Sequence, residues 1–105
     1  MGNLFVQIEK GKQRGATRSI EIDGHMYWCS AGIQKHNKTY KAHVSVIRED
    51  NMASENYDVL FTRSFSDLKK AIDCVNSNGH IRFDEFSVVK GQKIFNPEFD
   101  EENEY

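Results

Sequence analysis

Four histidines (His25, His36, His43, His80) and two cysteines (Cys29, Cys74) are the side chains best suited to hold a metal or to work as nucleophile and base. Their spacing supports neither use. His25 and Cys29 stand four apart in a stretch that alternates like a strand, so they share a face but lie roughly 13 Å apart at strand rise. His36 falls in a turn and His80 just past a helix end, whereas structural zinc sites draw their ligands from tight sequence pairs. Cys29 shares its parity with Tyr27, Ala31 and Ile33, a core pattern, while His43 points to the opposite side of its own strand. That separation defeats proton transfer between thiol and imidazole. Cys74 sits toward the C-terminal end of a helix, where no positive dipole lowers a thiol pKa. The loop Gly11 to Thr17 lacks the Gly-Lys-Ser/Thr ending of a phosphate cradle and leads into a strand. The expectation is a protein without catalytic residues, metal or cofactor.

The clearest structural instructions lie between Tyr57 and Gly79. Tyr57, Val59 and Phe61 alternate with Asp58, Leu60 and Thr62, the period of a strand with one buried face. Leu68, Ala71, Ile72 and Val75 then fall at i, i+3, i+4 and i+7, one stripe of a helix over about 65–78. Ser64 or Ser66 is placed to cap its start, and Asn78-Gly79 suits a left-handed stop. Further back, Asp23-Gly24 is a strong hairpin signal, because a type I′ turn needs positive φ at both central residues. It joins Arg18–Ile22 to His25–Gln34, and a second turn at Lys35–Lys38 leads to the alternating run Tyr40, Ala42, Val44, Val46. Asn3–Glu9 reads as a first strand, Lys10–Arg18 as a mobile connection and Glu49–Asn56 as a polar loop. His80–Val89 reads as a strand bulged near Asp84-Glu85, because its apolar parity breaks there. Lys90-Gly91 would close a last hairpin onto Lys93–Phe95. These elements add up to an α+β fold: an antiparallel meander of four to six strands with one amphipathic helix on one face, a two-layer sandwich.

A chain of 105 residues with 38% apolar and 29% charged residues supports one domain, here 1–95, with an acidic, flexible tail at 96–105. Residues 1–48 carry eight Lys/Arg against three acids, a balance of +5, and residues 49–105 carry six against thirteen, a balance of −7. Such asymmetry fits two halves that attract each other, within a chain or between two copies, or a polyanion-binding face beside an acidic tail. No apolar run approaches membrane-spanning length, no basic-then-apolar leader begins the sequence, and Val6 stands where a myristoylation motif needs Ser or Thr. The expected setting is cytoplasmic, without a membrane, with both thiols reduced and the Asn37-Lys38-Thr39 sequon unused.

If the helix covers the side bearing Tyr27, Tyr40, Val44, Val59 and Phe61, the other side shows Met26, Trp28, Lys41, His43, Ser45, Leu60 and Thr62. A Trp left on an open sheet face marks an interface. The first reading is a protein–protein contact, as a homodimer or with a macromolecular partner, through Met26, Trp28, Lys41, His43 and Leu60, with Phe5 an outlying candidate. The second is nucleic-acid binding, with Trp28 stacking on a base and Lys12, Arg14, Lys35 and Lys38 tracking phosphates. In the third, the chain's own C-terminal segment, with Ile94, Phe95 and Phe99, folds back over this face. A small-molecule-binding or enzymatic role completes the alternatives. The run Lys38-Thr39-Tyr40-Lys41-Ala42-His43-Val44, with Arg63-Ser64-Phe65-Ser66-Asp67-Leu68 and Ala71, resembles the three-strand-plus-helix modules of plant AP2 domains and phage-integrase arm-binding domains over about 40 residues. That resemblance implies DNA contact through basic sheet residues. The acidic loop Glu49–Asn56 departs from the pattern.

Overall fold

The computed structural model describes residues 3–87 and 93–98. Four antiparallel strands, β1 (Arg14–Ile22), β2 (His25–His36), β3 (Thr39–Arg48) and β4 (Val59–Phe65), follow one another in the order β1-β2-β3-β4. Helix α2 (Leu68–Asn78) packs across one face, chiefly against β3. This is the α+β, two-layer meander that the alternation and the helical stripe specify.

Both hairpin turns have the backbone their residues allow. Asp23 and Gly24 stand at φ 52° and 82°, and Asn37 and Lys38 at 51° and 69°. Two consecutive positive φ values match the right-handed twist of the flanking strands, so each turn sets the register of its hairpin. Ile22 pairs with His25 and His36 with Thr39. With register set, Cys29, Ala31, Ile33, Ala42, Val44, Val46 and Phe61 all fall on the α2 side and are buried. Ala71, Cys74 and Val75 close on them from α2, with Leu68 and Ile72 half-buried at its edge.

Several elements differ from the sequence-based expectations. Asn3–Glu9 is a short helix, α1, rather than a strand. Seven residues satisfy either period: Leu4, Val6 and Ile8 alternate, but Leu4 and Ile8 are also four apart. Packing decides, because Ile8 is fully buried in the core while Phe5 and Val6 stay outside it. Tyr40 holds the end of this helix by donating its hydroxyl hydrogen to the Glu9 carboxylate, with oxygens at 2.8 and 2.9 Å, and Lys35 pairs with Glu9 at 3.3 Å. The tyrosine and lysine hold the Glu9 carboxyl below its ordinary pKa. Instead of a mobile connection to Arg18, strand β1 begins at Arg14, and the polar loop after β3 winds into a 3₁₀ helix at Glu49–Ser54.

The caps of α2 also differ. Asp67, not Ser64 or Ser66, caps the helix, accepting from the Lys70 backbone N–H at 2.9 Å; Ser64 lies in β4. Asp67→Ala is expected to cost about 1 kcal/mol, read as a lowered urea midpoint at unchanged slope. At the other end Gly79 is extended, at φ −133°, rather than left-handed. Asn78 turns back instead and donates its side-chain N–H to the Cys74 carbonyl at 2.7 Å. Gly79 is needed for space, since a Cβ there would meet Val44 Cγ1 at 2.9 Å.

The bulged strand expected at His80–Val89 is absent from its described part. Phe83–Glu85 form a 3₁₀ turn that puts Phe83 and Phe86 on one side, ring centroids 5.2 Å apart and both buried. A three-residue period accounts for the parity break. Val88, Val89, Lys90 and Gly91 lie outside the described residues, and Lys93–Phe95 form no strand. Of the acidic tail, Asn96, Pro97 and Glu98 are described, with Pro97 buried. No helix among the described residues is long and apolar enough to cross a membrane.

Candidate functional site

Four cross-strand rows of three or four residues form the body of the face away from α2. One row runs Ser19–Trp28–Ile47, the next Thr17–Ser30–Ser45–Leu60, and the third Gly15–Gly32–His43–Thr62. The fourth aligns Gln34, Lys41 and Ser64. Small residues dominate the middle, and that makes room for the chain itself.

Residues Lys93–Glu98 cross this face as an arm. Gln13 holds it by its backbone: the Gln13 Oε1 accepts from the Ile94 and Phe95 N–H groups at 2.7 and 3.2 Å, and its Nε2 donates to the Phe95 carbonyl at 2.8 Å. One primary amide thus does the work of a neighbouring strand. The Phe95 ring lies over Gly32, where a Cβ would come within 3.1 Å of it, and stacks on His43 with centroids 5.1 Å apart and planes 4° from parallel. His43 is consequently buried, and its Nδ1 shares a 2.9 Å hydrogen bond with the Thr62 hydroxyl, itself almost fully buried. Burial pushes the imidazole down to about 4, so it is neutral at pH 7.

The expectation of an open sheet face therefore holds at one end only. Ile94 and Phe95 cover the middle, as the third reading anticipated; Phe99 lies outside the described residues. His43, expected at the open contact face, is beneath the arm. Lys41 sits at the far end, beside Pro97, Glu98 and Ser64. Trp28 and Leu60 do come together. Trp28 and Leu60 line a hollow of about 450 Å³, and Met26 is two residues from Trp28 on the same side of β2. Ile47, Met52, Glu55, Tyr57 and Ile94 complete its walls, over Ser30, His43 and Ser45. A second hollow of about 380 Å³ adjoins it across Trp28, Ser30 and Ile94, reaching Thr17 and Lys93 on the β1 side.

Met52, Tyr57, Ser30 and Ser45 were absent from the expected contact set. Ser30 shares its parity with Trp28 in β2 and was legible in principle, and Ser45 shares its parity with His43 in β3 and was already expected on this face. Met52 comes from the segment between β3 and β4, where no period assigns a side chain to a face; Tyr57, expected to continue the Val59 and Phe61 side of a strand, precedes β4 and lines the hollow on the opposite face instead.

The four basic residues proposed for polyanion contact are not brought together. Lys12 and Lys38 are exposed at separate turns. Lys35 is on the α2 side, paired with Glu9 and 5.5 Å from the Tyr40 ring centroid. Arg14 is buried, donating to the Gln13 carbonyl at 2.7 Å and to the Gln7 Oε1 at 3.2 Å, with its Nε unpartnered. Cys29 pairs with Val46 and lies on the α2 side, the other face of the sheet from His43, and burial pushes both the Cys29 and Cys74 thiols up. Among the described residues no three His, Cys, Asp or Glu side chains are grouped to hold a metal ion.

Comparison with known proteins adds no functional assignment: no family model matches this chain, and no curated protein or solved structure shows significant similarity to it.

Proposed function

We propose that this protein works by binding rather than catalysis, through a protein–protein contact at the open end of the sheet face, with a second copy of the chain as the simplest partner. The observation that carries this reading is the exposure of Trp28 (37%) and Met52 (46%), which line one hollow where the arm stops covering the sheet, with Met26 (41% exposed) two residues from Trp28 on the same side of β2. Trp and Met are enriched at the centres of contact surfaces, and large apolar side chains grouped in water mark such surfaces. The opposite charge balances of the two halves favour pairing of unlike surfaces between copies.

Trp28 is the single tryptophan and reports directly on its own surface. Sedimentation equilibrium at low and high salt, with acrylamide quenching of Trp28, is expected to show self-association that persists in salt and shields the indole. Trp28→Ala should weaken that association about thirtyfold, the scale of an interface hot spot, with an unchanged circular dichroism spectrum. A chain that stays monomeric at every concentration, with Trp28 freely quenched, overturns the second-copy reading.

A further inference from the structure

The hollow beside Trp28 has a composition that selects its occupant. Its walls are apolar or aromatic, with Trp28, Ile47, Met52, Tyr57, Leu60 and Ile94. Glu55 is the one ionised side chain among its lining residues, since His43 is neutral at pH 7. Its floor carries two serines, Ser30 and Ser45, opposite each other on β2 and β3 and only 8% and 7% exposed. Neither hydroxyl has a side-chain hydrogen-bond partner among the described residues. Neither oxygen is a buried atom left without a partner, a condition met among the described residues by Arg14 Nε alone, so both hydroxyls are open to the hollow and can donate to or accept from a group that enters it. Glu55 is held at φ 55°, the left-handed region that costs a non-glycine residue. Its N–H closes the 3₁₀ helix onto the Asn51 and Met52 carbonyls, and the residue takes its place in the lining of the hollow.

We propose that the hollow takes up an alkylammonium or guanidinium group on an aliphatic stem, such as a lysine or arginine side chain presented by the partner. The stem covers Met52, Leu60 and Ile94. The cation is drawn by Glu55 and the indole face of Trp28 and donates to the Ser30 and Ser45 hydroxyls. Aliphatic stems bury readily along apolar walls while their heads find polar groups, and Trp is the best aromatic acceptor of a cation. An anion finds no positive group in this lining. The inference rests on the reading of this face as a contact surface and names the chemistry that the contact recognises.

The test is a two-dimensional NMR titration of the full chain at constant ionic strength, following the Trp28 indole and the Ser30, Ser45 and Leu60 amides. The probes are n-butylammonium, n-butanol, butyrate and an end-blocked Gly-Lys-Gly peptide. Saturable shifts are expected with n-butylammonium and with the peptide, n-butanol binding about fivefold more weakly and butyrate more weakly still. Glu55→Gln should erase the preference for the ammonium over the alcohol, a loss of about fivefold, as for an exposed ion pair. Equal response to alcohol and ammonium overturns the proposed chemistry. So does the absence of shifts with every probe; if Trp28 is still shielded on self-association, the contact reading stands without it. Saturation by free n-butylammonium alone, with no response to the peptide and no self-association, upholds the ammonium chemistry and overturns the contact reading.

Discussion

Phe95→Ala is expected to cost about 3 kcal/mol and to return His43 toward an ordinary histidine titration. Phe95 is 7% exposed although the segment carrying it has no regular secondary structure, so its burial comes from the glycine track beneath it and from His43. Truncation removes the ring and opens His43 to water. The same residue sets the acid stability of the protein. Folded His43 stays neutral down to about 4, against an ordinary value of 6.5. Between these values the unfolded chain takes up a proton that the folded chain does not, so unfolding gains from each step toward acid. The stability contribution is present in full above pH 6.5 and is lost as the pH falls toward 4, amounting to about 2 kcal/mol between pH 7 and pH 5. Urea midpoints at pH 7 and pH 5, with NMR titration of His43, check both halves. In Phe95→Ala the pH 7 midpoint should fall and the additional loss at pH 5 should shrink. An unchanged midpoint with an unshifted imidazole would show that the arm does not lie on the sheet in solution.

Gly15→Ala should be as damaging for the opposite reason, overfilling rather than emptying. A Cβ at residue 15 would collide with the Ala31 carbonyl oxygen, and would stand 2.6 Å from Ile94 Cδ1 and 2.8 Å from Gly32 Cα. Two of those three atoms are backbone of the paired strand, so no rotamer change relieves the overlap. Strand β1 must shift, and with it go the Ser87 N–H bond to the Gly15 carbonyl, at 3.2 Å, and the seat of Ile94. The expected cost is about 3 kcal/mol, the upper part of the range for overpacking, a large share of the roughly 5–15 kcal/mol that holds a domain folded. Gly24→Ala is the control. Nothing lies within 4 Å of a Cβ there, and only its φ of +82° opposes the substitution. Denaturation midpoints that rank Gly24→Ala as the more damaging would refute the close approach at Gly15.

What the amino-acid order determined by itself is what depends on neighbours in sequence. Asp23-Gly24 sets one hairpin through two positive φ values, and the alternation from Tyr40 to Val46 and from Val59 to Thr62 orients two strands. The stripe from Leu68 to Val75 identifies the one long helix. Trp28 and Met26 could be placed on the face opposite that helix by parity alone. Tertiary structure decided the rest, wherever a segment's own pattern permits two conformations. Leu4 and Ile8 fit strand or helix until the core accepts Ile8, and Phe83 and Phe86 break strand parity because they belong to a tight turn packed on α1 and α2. The arm is the extreme case. Gln13 and Phe95 are 82 positions apart, and neither carries a local sign of the other. A glutamine in a loop becomes a backbone clamp, and a lysine-flanked Ile-Phe pair becomes a cover for His43, only after one hairpin has brought Gly15 beside Gly32 and the next has brought His43 beside Gly32. The shape of the candidate site follows from that long-range packing, because the arm divides a uniform sheet face into a sealed half and the open hollow around Trp28.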